Sequence, residues 1–136
     1  MKSLDDVIEV RLARHTQQGS LVVLEGEKDI PFKIQRMFFV TDVPPGETRG
    51  RHAHRQCNQV FLCQKGTLKV TCDDGKNQRE FVLDRPDRAL VVPASIWAEE
   101  TYGVEGSTLL VLADQPYDPQ DYVHSYDEFI SWRGLA

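Results

Sequence analysis

No apolar run in the chain approaches the roughly 20 residues that a membrane-spanning helix requires. The opening stretch, MKSLDDVIEVRLARH, has neither a continuous apolar segment nor a small-residue cleavage site. A secretory leader and a membrane anchor are therefore not expected, and the expected location is the cytoplasm. Basic charge is also short: 16 Lys and Arg stand against 21 Asp and Glu, a formal net charge of −5. Nucleic-acid binding, which needs a basic footprint, is accordingly not expected. A small anionic ligand stays open, because a few well-placed arginines neutralise one pyrophosphate. Cysteine is scarce and odd in number, at Cys57, Cys63 and Cys72. With no CxxC pair, zinc knuckles and thioredoxin-like redox chemistry lose support, and buried free thiols are expected.

What the 136 residues do contain is a series of short apolar and β-branched runs, consistent with one domain over 1–136. SLVVLE at 20–25, KIQRMFFVT at 33–41, QCNQVFLC at 56–63 and TLKVTC at 67–72 read as strands. REFVLD at 79–84, RALVVP at 88–93 and STLLVLAD at 107–114 continue the series. Between them lie a loop at 43–50, punctuated by two prolines and two glycines, and a polar Asp-Gly hairpin at 73–78. Helical patterns between the strands are missing, which favours an all-β antiparallel barrel or sandwich over a βαβ fold. The tail ends in an expected short helix near Ser125, where Ser125 and Glu128 have capping-box spacing.

The densest cluster of reactive side chains is RGRHAHRQCNQ at 49–59. If this segment is extended, His52 and His54 point to one face. Two imidazoles there make a candidate metal or proton-transfer site. No histidine occurs between 55 and 123, so the three or four donors that a transition metal normally needs are not assembled. The expectation is a metal-free, cofactor-free site in which imidazoles of ordinary pKa near 6.5 move protons.

The H-x-H step followed by a strand, a glycine turn and a second strand resembles the first motif of the cupin superfamily. Metal-binding cupins add a glutamate, where this chain has Gln59, and a further histidine on a later strand, VVPASIWAEE, which carries none. The resemblance narrows with RGRHAHRQCNQVFLCQKG, VVPASIWAEE and LLVLADQPYDPQDYVHSYDEF. Together these are similar to the sugar 3,4-ketoisomerases that act on dTDP-4-keto-6-deoxyglucose and, with the GSLVVLE and IPFKIQRMFFV segments before them, cover most of residues 19–129.

That resemblance implies a small antiparallel cupin (jelly-roll) barrel with a short C-terminal helix, assembled as a homodimer. It implies transfer of the carbonyl from C4 to C3 of a dTDP-linked keto-deoxysugar through an enediol. His54 is then the expected base and His52 its relay or orienting partner. Arg49 is the expected source of positive potential, with Arg51 facing away. Lys33 and Arg36 are candidates for the diphosphate, with exposed strand cations the alternative. Gln59 is a candidate for a sugar hydroxyl, and Trp97 for stacking on the ligand or filling the barrel mouth, with core packing the competing reading. Glu99 and Glu100 are candidates for a second polar group near that rim. His15 and His124 fall outside the cluster and are expected at the surface. Two features depart from the pattern of some family members: Phe38 and Phe39 carry no hydroxyl where those members have tyrosine, and Ala98 stands where some have histidine. Alternatives are a non-catalytic sugar-nucleotide-binding cupin and a related keto-sugar epimerase; the latter is disfavoured because no tyrosine precedes residue 102.

Overall fold

The computed structural model describes residues 1–135, and its regular structure is mostly antiparallel strand. In chain order they are β1 (Ile8–Arg11), β2 (Ala13–Thr16), β3 (Ser20–Val23), β4 (Arg36–Val40), β5 (Thr48–His54) and β6 (Gln59–Lys65). There follow β7 (Leu68–Asp73), β8 (Gln78–Leu83), β9 (Arg88–Val92), β10 (Trp97–Tyr102), β11 (Thr108–Ala113) and β12 (Tyr122–Val123), and then one helix, α1 (Tyr126–Trp132). One five-stranded sheet has the order β1-β9-β6-β11-β4, and a second has β12-β5-β10-β7-β8. The two lie face to face in a cupin-like sandwich rather than closing into one continuous ladder, and a β2-β3 hairpin stands apart. The all-β expectation with a short terminal helix is thus met.

Period-2 alternation sorts each strand between two environments. On β6, Phe61 and Cys63 enter the core between the sheets, whereas Val60 and Leu62 pack outward. The inner core is completed by residues such as Val70, Cys72, Leu90, Tyr102 and Val111. Outside the first sheet, Val60, Leu62, Val91 and Leu112 are covered by Val10, Val22, Leu24 and Phe32 from the N-terminal segments. Outside the second sheet, Ala53, Trp97, Val123 and Phe129 form a third cluster under α1. Full burial of Phe129 alone contributes about 1.5–3 kcal/mol.

Several boundaries differ from the sequence reading. β1 and β2 were not expected: each is only four residues long, too short for a periodic signal, and they are recognisable from their pairing with β9 and β3. The expected strand at 56–63 begins at Gln59, because Arg55–Asn58 turn to bond Asp121 and Asp114. The expected loop at 43–50 ends at Glu47, and Thr48–Gly50 already belong to β5. The expected strand at 33–41 starts only at Arg36, which leaves Lys33 exposed in the preceding loop. The Asp-Gly hairpin is present, with the Asp74 carboxylate accepting from the N–H groups of Lys76 and Asn77. Ser125 caps α1 by accepting from Glu128 N–H, at 3.3 Å.

Candidate active site

β5 carries an irregularity that shapes the site. Opposite β10, Ala98 pairs with His52 and Glu99 with Gly50, so Arg51 is an extra residue. Gly50 and Arg51 both have positive φ, 88° and 58°, as a bulge requires. Strict alternation would have turned Arg49 and Arg51 alike away from His52. The bulge resets the count, so Arg49 lines a cavity with His52, while Arg51 is exposed and bonds Glu99 at 3.2 Å.

His52 and His54 share one face, as expected, with ring centroids 5.0 Å apart and nearly perpendicular. His54 is 5% exposed. Its Nδ1 lies 2.9 Å from Oδ2 of Asp121, in the turn that precedes β12. The same carboxylate accepts from the backbone N–H groups of Gln56 and Cys57, which fixes its position. Burial holds the imidazole of His54 below its ordinary pKa despite the pull of Asp121. At neutral pH the ring is therefore neutral, and Nδ1–H donates to the carboxylate. This tautomer leaves the Nε2 lone pair free, and Nε2 is buried without a partner among the described residues. Burial, with the neighbouring His54 next in weight, lowers His52 to about 4.

Residues the sequence reading passed over complete the site. Tyr122 pairs in register with His54, and their rings are 4.4 Å apart. His124 stacks on Tyr122 at 5.3 Å and lies 6.0 Å from His52, so the expectation that it stands outside the cluster is corrected. The available signal was spacing: Tyr122 and His124 are two apart, as His52 and His54 are, with Tyr122 on β12 and His124 just after it. Tyr122 also removes the argument against an epimerase from missing tyrosine, because the chain returns one to the histidines after residue 102.

Of the expected binding residues, Arg36 lies on β4 and is half-buried. Its guanidinium lies over Phe38 and Tyr117, at 5.2 and 5.5 Å, with Nε buried and unpartnered among the described residues. Gln59 is buried on the inward face of β6, and Ala113 pairs with both Gln59 and Arg36 in one cross-strand row. Two expectations are corrected. Lys33 is exposed and precedes the strand that carries Arg36. Trp97 neither stacks in the site nor fills its mouth: alternation turns it outward, where it packs on Phe129 and Tyr126 and donates to Glu99 at 3.2 Å. The inward residues of β10 are Ala98, Glu100 and Tyr102. Of the two candidate acids, then, Glu100 faces the site and Glu99 faces out. Phe38 lines the cavity, whereas Phe39 points to solvent.

The cavity bounded by Arg49, His52, Glu100, Tyr102 and Phe38 has a volume of about 90 Å³. Whole-ligand pockets measure about 300–1,000 Å³, so this space suits one edge of a sugar ring, with the rest of a nucleotide lying across the mouth. His54, Cys57 and Asp121 also bring one potential metal-ligand atom each within 4.8 Å of one another. Both oxygens of Asp121 are already engaged by N–H donors, and burial raises the Cys57 thiol to about 11. As they stand, these residues fit a hydrogen-bonded relay better than a metal centre. All three cysteines are free and buried, as expected.

The fold is thus a cupin-like sandwich in which two histidines meet, one of them bonded to the Asp121 carboxylate. The chain belongs to the FdtA (WxcM-like, C-terminal) family, whose model matches residues 4–134. It is 39% identical over 112 residues to the TDP-4-oxo-6-deoxy-alpha-D-glucose-3,4-oxoisomerase of Aneurinibacillus thermoaerophilus, covering 82% of this chain and 81% of that one. Among solved structures, a sugar 3,4-ketoisomerase from Thermoanaerobacterium thermosaccharolyticum in complex with TDP superposes with a TM-score of 0.93 at 32% identity, over 97% of both chains. A 3,4-ketoisomerase from Helicobacter canadensis gives 0.91 at 33% identity, over 95% of this chain and 98% of that one. The protein is an isomerase, and its reaction type is that of the sugar 3,4-ketoisomerases.

Proposed function

We propose that the protein converts a dTDP-4-keto-6-deoxyhexose to its 3-keto isomer, with His54 as the base. The observation that carries this reading is the orphaned Nε2 of His54, buried and held in its proton-accepting tautomer by Asp121. Enolisation beside a ketone requires such a base within hydrogen-bond reach of the C–H, together with stabilisation of the oxygen that gains charge. Nε2 takes the C3 hydrogen as a proton, the released pair forms the C3–C4 double bond, and the C4 carbonyl oxygen gains a proton. The enediol then collapses the other way: O3 gives up its proton as the C3 carbonyl forms, and C4 receives one. His52, neutral and 5.0 Å from His54, is the relay or orienting partner. Arg49 supplies positive potential beside the reacting carbons, and Arg36 faces the diphosphate.

The working unit is a homodimer. The outward face of β4, an edge strand, exposes Met37 and Phe39 at 59% and 62%. Phe39 and Leu110 line one groove, and Leu110 also lines a second with Leu12, Val22, Leu24 and Leu112. An edge strand with an apolar outer face favours association with a second chain.

The test is an NMR assay of the purified protein with dTDP-4-keto-6-deoxyglucose in D2O. A 3-keto product with deuterium at C4 is expected, and its coupling constants report the configuration there. TDP binding without product or exchange would replace the proposal with the non-catalytic reading.

A further inference from the structure

Building on the ketoisomerase reading, we propose that Glu100 is a second proton-transfer group, a carboxylic acid that carries a proton between the two sugar oxygens while His54 works on the carbons. The bulge at Gly50–Arg51 sets Arg49 opposite Glu100, and the Glu100 side chain enters the same cavity as His52. The residue is 5% exposed. Its Oε2 occupies the space where a Cβ on residue 50 would stand, so the close approach depends on Gly50 having no side chain. Among the described residues Glu100 forms no salt bridge; the nearby ion pair on the outer face joins Arg51 to Glu99 instead. Beside it, the hydroxyl of Tyr102 is buried without a partner. Two oxygen functions, the Glu100 carboxyl and the Tyr102 hydroxyl, thus share a small cavity with His52.

The reaction has a step that the histidines leave unassigned. Conversion of the 4-keto to the 3-keto sugar moves hydrogen from C3 to C4, and it also moves a proton from O3 to O4. A carboxylic acid suits the second transfer because it is donor and acceptor at once. Its O–H gives a proton to O4 as charge develops there, and its carbonyl oxygen takes the proton that O3 releases. The acid ends the cycle protonated, with no net change. A carboxylate has no proton to give, so the group must be neutral when substrate binds. Burial raises Glu100 to about 8, reinforced by Glu99 and opposed by Arg49 on β5. The other groups facing it are His52, Tyr102 and, on β7, the Cys72 thiol, itself raised chiefly by burial and then by Glu100. Near pH 7 the acid form dominates.

The experiment compares wild type with Glu100→Gln and Glu100→Asp, following product formation and deuterium entry at C3 of recovered substrate across pH. Glu100→Gln keeps the shape but transfers no proton. Its kcat should fall at least about 100-fold, with TDP affinity unchanged and C3 exchange reduced less than turnover. The alkaline limb of the wild-type profile, expected near pH 8, should vanish in Glu100→Gln and persist in Glu100→Asp. Infrared difference spectra of wild type against Glu100→Gln at pH 7, which need no substrate, should show a protonated-carboxyl band from the wild type. Wild-type turnover in Glu100→Gln overturns the relay alone, as does an equal loss in both variants with unaltered pH profiles. Wild-type protein that leaves the keto sugar unchanged overturns the functional reading, and the relay with it.

Discussion

Oδ2 of Asp121 lies 2.9 Å from Nδ1 of His54, a contact between residues 67 positions apart. It joins the C-terminal tail to the histidine strand, and it decides which nitrogen of the ring is left without a partner. Replacing His54 with Asn removes the base and should lower turnover at least about 100-fold. TDP affinity should be kept, because the imidazole faces the reacting carbons rather than the diphosphate. Calorimetric titration with TDP beside a kinetic assay checks both halves, and near-wild-type turnover would contradict the assignment.

Asp121→Asn tests the orientation separately from the base. The amide turns either its oxygen or its NH2 group toward Nδ1, and the NH2 orientation drives the proton to Nε2, the wrong tautomer for abstraction. A loss of kcat between about 10-fold and 10⁴-fold is expected. The tautomer is directly visible in the ¹⁵N shifts of the His54 ring. An unchanged tautomer with unchanged kcat would show that Asp121 serves the backbone of Gln56 and Cys57 alone.

The histidine pair was legible because period-2 spacing is local: two residues on one strand face one way whatever packs around them. Trp97 packs in a core cluster, one of its expected roles, but its side was not legible, because alternation on β10 has no reference until the sheet it joins is known, and the adjacent Ala98 and Glu100 took the inward face. Arg49 reached the site through a bulge, and the spacing of residues cannot show a bulge. Asp121, Tyr122 and His124 come to His52 and His54 by a long return of the chain; their own D-Y-x-H spacing was a signal, but its partner strand was not. β1 and β2 were too short to announce themselves.

Stability should respond to pH on two sides. His52 titrates near 6.5 in the unfolded chain and near 4 in the folded one. Between those values the unfolded state binds more protons, so stability is lost as pH falls from 6.5 towards 4. Glu100 acts in the opposite direction: ordinarily 4.5 and about 8 when folded, it removes stability as pH rises from 4.5 through 8. Melting temperatures from pH 4 to 9 should therefore flatten on the acid side in His52→Asn and on the alkaline side in Glu100→Gln. Curves parallel to wild type would mean that the two groups titrate normally in the fold.

Phe39→Glu tests the proposed homodimer without touching the site, since Phe39 points out of the sandwich while Phe38 points in. A charge at the centre of a buried apolar contact costs several kcal/mol unless it is paired. Light scattering behind size exclusion should show wild type as a dimer and the variant shifted towards monomer. An unchanged dimer would place the contact elsewhere on the molecule.

Gly46 and Gly50 form a matched pair for measuring how tightly Glu100 is held. Both have φ of 88°, so alanine at either position meets the same left-handed strain, about 1–2 kcal/mol. Around Gly46 a new Cβ would find nothing within 4 Å, whereas at Gly50 it would overlap Glu100 Oε2. Gly46→Ala therefore reports backbone strain alone, and Gly50→Ala reports strain plus displacement of the acid. Urea denaturation should show the larger loss for Gly50→Ala, with turnover impaired in that variant only. Equal losses and equal turnover would mean that the Glu100 side chain swings away freely, and a carboxyl that moves so easily could not hold a sugar oxygen in line for proton transfer.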